Sequence, residues 1–313
     1  MVKASTKERI RPESLVTRIE GNLYFVAGEG SGKFPASNSF LLKGSENVLI
    51  DAGIGADRLA EVDRNFRIDV LVITHSHPDH IRHGFYLEDR HVLMPHETPE
   101  SVSDLAMLGE RFMGTKEDGI EWAKFVRKEF GVRALRPPDE RFKDGDVLQI
   151  GGCRLEAIHA PGHLNDHYCF IDHNSGTLMT TDIDFTGFGP WCGNPESDLE
   201  MFKESILRVM SVDHRRVCSS HKAPIEGSGR RWFEKFLDAF DRQKKMVLHL
   251  CAVPSTIDEL ARKSPFYHDT LKYKNIQLLF ESQMINKYLS ILEREGLVEA
   301  TNGLYHQVGK DMP

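Results

Sequence analysis

The chain has 313 residues, 40% hydrophobic and 28% charged, with a formal net charge of −7. That length suits one large domain, or one of about 200 to 230 residues with a small second unit. The acidic balance gives no global electrostatic footprint for nucleic acid, and no apolar run of about 18 residues is present to span a bilayer. Cys153, Cys169, Cys192, Cys218 and Cys251 include no C-x-x-C pair, so reduced thiols fit better than a disulfide framework. Residues Met1 to Lys7 lack the apolar core of a secretory signal, and a cytoplasmic location is expected.

In chain order, apolar runs at 15–19, 23–26, 39–42 and 48–51, separated by Gly-containing turns, predict two hairpins. A helix is expected over 57–65 and a buried strand over 68–74, running straight into His75. Residues 101–130 have helical spacing and form an inserted helical segment, either a cap over a cleft or ordinary packing. Strands resume at 147–150, 154–158, 168–171 and 177–180. A helix near 197–209, a short strand near 216–219 and a long helix over 230–250 follow. Thr256 and Glu259 have the spacing of a capping box. A helix near 275–294 and two short strands around Thr301-Asn302 suggest a winged-helix-like module. The expected division is a catalytic domain over 1–228 and a C-terminal part over 229–313.

The densest chemical signal is Thr74-His75-Ser76-His77-Pro78-Asp79-His80. Imidazole and carboxylate suit zinc, iron and manganese. In extended backbone, alternate residues point the same way, so His75 and His77 can share an ion. Pro78 then turns the chain, and Asp79 and His80 can face a neighbouring site. Three further segments each put one ligand-type residue just past a strand: His159-Ala160-Pro161-Gly162-His163, Thr180-Thr181-Asp182 and Ser219-Ser220-His221. Any one alone is weak, since a lone His is more often a hydrogen-bonded surface residue. Gly162 lets the backbone approach a neighbour closely.

This ordered set, H-x-H-x-D-H, Gly-His, a strand-end Asp and a final His, resembles the metallo-β-lactamase superfamily over roughly residues 14–225. The resemblance implies an α+β fold, an αββα sandwich of two mixed sheets with helices outside. It implies that His75, His77 and His163 hold one metal, that Asp79, His80 and His221 hold a second, and that Asp182 bridges them. Two divalent ions are expected, zinc first, with iron or manganese also compatible. Two positions depart from the usual pattern. Thr181 stands where Gly commonly precedes the Asp, and Ser219-Ser220-His221-Lys222 replaces Pro-Gly-His-Gly. Asp51, closing its strand, is either a support for a ligand imidazole or a turn acceptor. Asp184 is either an extra polar group of the site or a loop carboxylate.

A hydroxide shared by two metals would attack a polarised carbonyl or phosphoryl group, with Asp79 and His80 as the catalytic candidates and Asp79 accepting the proton. The leading expectation is a small-molecule hydrolase acting on a thioester or other ester. Phe185 to Asn194 forms either a pocket wall or a packed loop. The first rival is an endoribonuclease, because the layout with a winged-helix-like tail and the stretch His163-Leu164-Asn165-Asp166-His167 resemble the β-lactamase-like 2 group. Yet the tail's Lys272, Lys274, Lys287 and Arg294 are spaced among acids, unlike a clustered nucleic-acid surface. Such a tail can also serve a homodimer contact. A mononuclear-iron oxidoreductase and a non-catalytic binding module are the remaining classes.

Overall fold

The computed structural model describes residues 15–309, so the expectation about Met1 to Lys7 lies outside the described residues. The first sheet takes its strands in chain order: β1 (Val16–Glu20), β2 (Leu23–Val26), β3 (Ser39–Leu42), β4 (Val48–Ile50), β5 (Val70–Val72), β6 (His91–Pro95) and β7 (Glu140–Phe142). The first four are antiparallel; β4 through β7 run parallel. Parallel neighbours need long crossovers. These carry α1 (Ala56–Phe66), α2 (Pro78–Ile81), α3 (Leu105–Met113) and α4 (Lys116–Phe125). The second sheet has the order β13-β12-β11-β10-β9-β8, from β8 (Val147–Ile150), β9 (Cys153–His159), β10 (Tyr168–Asp172), β11 (Thr177–Thr181), β12 (Arg216–Ser219) and β13 (Lys222–Glu226). Only β11 and β12 pair in parallel there, bridged by α5 (Leu199–Met210).

Side-chain alternation explains how the layers stack. Phe40, Leu42, Val48, Ile50, Val70 and Val72 face Leu155, Ala157, Tyr168, Phe170 and Met179 in one apolar cluster between the sheets. Their neighbours Leu41, Leu49 and Leu71 face the opposite way, into a second cluster with Leu59, Val62, Leu105, Leu108 and Phe112. Strands covered on both faces read as unbroken apolar runs, as these do. Cys169 and Ile171 likewise turn outward into a third cluster, with Phe202 of α5 and Phe236 and Phe240 of α6 (Arg230–Leu250). The result is the αββα sandwich.

The third cluster continues into the C-terminal segment. It takes in Leu260 of α7 (Ile257–Arg262), Met284, Ile285 and Leu289 of α8 (Lys274–Arg294), and Val298 of the hairpin β14 (Val298–Thr301) and β15 (Leu304–Gln307). The Thr256–Glu259 capping box is present, with Thr256 N donating to Glu259 Oε2 at 2.8 Å.

Residues 101–130 differ in detail from the sequence reading: two helices packed through Gly109 and Gly119, then a π-helical turn over Val126–Phe130. A Cβ on Gly109 would lie 2.3 Å from the Gly119 carbonyl oxygen, so only glycine permits this approach. Strands β6, β7 and β13 lie outside the expected set. The last two are short edges with charged residues, and β13 contains Pro224, tolerated there because an edge residue need not donate. Among the described residues no helix is long and apolar enough to cross a membrane, and the five cysteines are unpaired and buried.

Candidate metal centre

Strands β4, β5, β9, β11 and β12 all deliver their C-terminal ends to one edge of the sandwich. The chain leaves β5 through Thr74 into His75, and Pro78 opens α2, which presents Asp79 and His80. The segment after β9 bends through Gly162, with φ +112, to His163. A Cβ on Gly162 would lie 2.3 Å from Phe202 N, so the expected close approach is real and is made to α5. Asp182 follows β11 and His221 follows β12.

The structure brings all seven predicted residues together. Donor atoms of His75, His77, His163 and Asp182 lie within 4.8 Å of one another, as do those of Asp79, His80 and His221. His77 Nδ1 is 3.2 Å from His75 Nε2 and 2.8 Å from His163 Nε2. Such spacings approach the roughly 3.3 Å edge of a tetrahedron with metal–nitrogen bonds of about 2.0 to 2.1 Å. Asp182 stands between the groups. Its Oδ2 is 3.2 Å from His163 Nε2 and 3.5 Å from His75 Nε2; its Oδ1 is 2.9 Å from His80 Nε2 and 3.4 Å from His221 Nε2. His221 Nε2 is 3.4 Å from Asp79 Oδ2.

Two observations test whether these residues fit metal ions. The first is the state of the far ring nitrogens. His80 Nδ1 lies 2.7 Å from Asp51 Oδ2, His163 Nδ1 2.7 Å from the Trp191 carbonyl and His221 Nδ1 2.5 Å from the Gly32 carbonyl. An acceptor at Nδ1 keeps a proton there and turns Nε2 toward the centre as the atom that a cation would take. The second is a pair of orphans. His80 Nε2 and Asp182 Oδ1 are buried and form an ion-pair contact at 2.9 Å, yet neither makes a well-formed hydrogen bond. Buried polar atoms are rarely left so; a cation between them would satisfy both. The residues fit.

Electrostatics agree. Burial pushes the His75 and His77 imidazoles well below the usual histidine range. Burial raises the Asp79 carboxyl. Burial also opposes charge on Asp182, but the imidazoles of His80, His221 and His75 outweigh it and hold this carboxyl well below the usual range. His221 is raised to about 9; burial works against this, and Asp182, Asp79 and Asp184 overcome it. Two enclosed carboxylates here call for positive charge.

Asp51 supports the site. It accepts from Thr74 N at 2.9 Å and Thr74 Oγ1 at 2.8 Å as well as from His80 Nδ1. Asp184 accepts from Thr186 N at 2.8 Å and also lines the cavity, with its carboxyl raised to about 6 by burial. Sequence reasoning did not single out Arg111, and it placed His167 only in the stretch after His163 that resembles the β-lactamase-like 2 group. His167 Nε2 lies 2.7 Å from Thr181 Oγ1 and 3.3 Å from Asp182 N, steadying the strand end that carries Asp182. Arg111, from α3, donates to Ser76 Oγ, Asp166 Oδ1 and Glu196, tying the helical insert to both histidine segments. A lone Arg in a helix gave no signal of this, because its partners are 35 to 85 positions away.

A cavity of about 650 Å³ opens onto His77, Asp79, His163, Asp182 and His221. Its walls are aromatic. Phe112, Trp122 and Phe125 come from the helical insert, Phe188 and Trp191 from the segment after Asp182, and Tyr267 and Phe280 from the C-terminal segment. The insert therefore both packs and caps. The 185–194 segment divides likewise, with Phe185 and Cys192 in the core and Phe188, Trp191 and Asn194 on the cavity.

An αββα sandwich with a His/Asp centre at one edge defines a class of metal-dependent hydrolases. The chain belongs to the metallo-beta-lactamase superfamily, whose family description matches residues 32–221. It is 26% identical over 267 residues to the atrochrysone carboxyl ACP thioesterase AgnL7 of Paecilomyces divaricatus, covering 82% of this chain and 74% of that one. It is 29% identical over 177 residues to the human acyl-coenzyme A thioesterase MBLAC2, covering 48% of this chain and 59% of that one. A metallo-beta-lactamase family protein from Thermus thermophilus superposes with TM-score 0.68 at 21% identity, covering 91% of this chain and 98% of that one; this likeness concerns the fold alone. The chain is a hydrolase of this fold.

Proposed function

We propose that the chain hydrolyses thioesters with an apolar acyl group. Two divalent ions, zinc by preference, would be held by His75, His77 and His163 on one side and Asp79, His80 and His221 on the other, with Asp182 between. The observation that carries this reading is the aromatic-walled cavity ending on His77, Asp79, His163, Asp182 and His221. A hydrophobic chamber with a few convergent polar groups suits a largely apolar ligand. The names of the two thioesterases support the choice of bond.

Divalent ions at this site would supply Lewis acidity toward a carbonyl oxygen and a lowered pKa for water. The chain's own residues do the rest. Asp51, Gly32 and Trp191 fix the imidazoles. Asp79 receives the proton that water gives up, and the aromatic walls keep bulk water from the acyl chain. Water's oxygen ends on the acyl carbon, the carbon–sulfur bond breaks, and the sulfur leaves as a thiol carrying the proton.

Elemental analysis of protein purified without added metal should find about two divalent ions per chain. Asp182→Ala should lower kcat/KM for octanoyl-N-acetylcysteamine at least a hundredfold, since it removes the carboxylate shared by both groups. Full activity in that variant would remove the role of Asp182.

A further inference from the structure

Behind Phe130 lies a second cavity, of about 690 Å³, lined by Arg82, His83, Phe85, Tyr86, Arg127 and Arg133 among others. Phe130 lines both cavities, so the two adjoin across one ring. Phe34, which lines the first cavity, packs edge-on against that ring with centroids 5.4 Å apart. Arg82 donates from Nε to the Phe130 carbonyl and joins the two walls.

The second cavity differs in chemistry from the first. Arg82 is engaged, lying 3.6 Å from Glu29. The acid in this lining, Glu129, is also engaged, accepting from Tyr273 Oη at 2.8 Å and lying 3.2 Å from Lys128. Arg127 and Arg133 are exposed and have no carboxylate partner among the described residues; Arg133 only lies over the Phe85 ring, 4.5 Å from its centroid. Beside them the Tyr86 ring is 57% exposed and packs on Phe85 with centroids 4.1 Å apart. Two guanidiniums without a carboxylate partner beside the exposed Tyr86, on a chain of net charge −7, form a local site for an anion with a flat ring. Guanidinium is suited to bidentate phosphate recognition, and aromatic faces stack on nucleobases.

We propose that this cavity binds the nucleotide end of coenzyme A. Its phosphates would lie on Arg127 and Arg133 and its adenine on Tyr86, while the pantetheine arm passes Phe130 and Phe34 into the metal-site cavity. This rests on the thioesterase reading and narrows it to a carrier. A protein-bound phosphopantetheine offers a single phosphate and no base, which would leave the exposed tyrosine unused.

The test uses the full chain and the double variant Arg127→Gln/Arg133→Gln, both positions being exposed. Binding of adenosine 3′,5′-bisphosphate is measured by calorimetry. The ratio of kcat/KM for octanoyl-CoA to that for octanoyl-N-acetylcysteamine is measured on the same proteins. The expected result is micromolar to millimolar binding by the native chain, weakened about tenfold or more in the variant, with the ratio falling by a similar factor. Tyr86→Ser should weaken binding in the same direction. Equal binding by native chain and variant, or no binding by either, overturns the proposal. So does an arginine dependence seen with octanoyl-acyl carrier protein but not with octanoyl-CoA. If neither thioester is cleaved, the thioesterase reading fails, while calorimetry still decides whether the nucleotide site exists.

Discussion

Asp51 has an unusual backbone, with φ +62, the left-handed region that non-glycine residues seldom enter. In that conformation its carboxylate reaches Thr74 N, Thr74 Oγ1 and His80 Nδ1 together. Asp51→Ala should therefore weaken metal retention about 10- to 100-fold, measured by competition with a chromogenic chelator. Unchanged retention would mean that Thr74 and His80 are held by packing alone. Thr181 stands where the resemblance expects glycine, and the structure gives the reason: its φ is +46. The hydroxyl offsets the strain by donating to the Tyr168 carbonyl at 2.8 Å and by contacting His167. The seven candidate ligands were legible because each is a polar residue just past an apolar strand. The roles of His167 and Arg111 were not, because they depend on contacts that only the folded chain creates.

Helix α8 shows what periodicity can and cannot reveal. Of the residues whose spacing places them near one face, Ile285, Leu289 and Leu292 are buried, Leu279 is half-buried and Ile276 lines the cavity. The same helix buries Gln277 and Glu281, two polar residues that interrupt the apolar pattern. Glu281 accepts from Tyr267 N at 2.7 Å, from Phe266 N at 3.2 Å and from Ser264 Oγ at 2.9 Å. Gln277 accepts from Leu271 N at 2.9 Å. These bonds hold a segment in which Ser264, His268 and Asp269 all have positive φ, and which supplies Tyr267, Thr270 and Leu271 to the cavity. Glu281→Ala leaves the buried Phe266 N–H and the part-buried Tyr267 N–H unanswered and should cost about 2 to 3 kcal/mol in urea unfolding. It should also raise KM for octanoyl thioesters more than it changes kcat. A stability loss with an unmoved KM would separate this segment from substrate binding.

For the whole molecule, we propose a catalytic part through residue 228 and a C-terminal part from 229 that unfold as one. A single apolar cluster runs from Ile158 and Phe202 through Phe236 and Phe240 to Leu260, Met284 and Val298. Cutting the chain between the parts would expose apolar surface on both. Calorimetry should record one transition whose calorimetric and van't Hoff enthalpies agree, and two resolved transitions would contradict the coupling. Several strands were legible from their unbroken apolar runs, and the sandwich was implied by the resemblance that the order of the ligands carries. The shared core was not legible, since a division expected at residue 229 says nothing about which faces meet. The edge strands were not legible either, because β7 and β13 carry too few buried side chains to stand out.

All the chemistry gathers where β4, β5, β9, β11 and β12 end, so the turns that begin those strands lie at the opposite rim. There the β3–β4 and β8–β9 turns meet: a Cβ on Gly44 would be 2.5 Å from the Gly151 carbonyl carbon, and Asn22 donates to the Gly151 carbonyl. The β10–β11 turn, residues 173–176, shares that rim and leaves His173 and Asn174 exposed. The molecule therefore has a handle remote from its mouth. Anchored to a solid support through a single engineered cysteine at position 174, it would turn both cavities toward the solution.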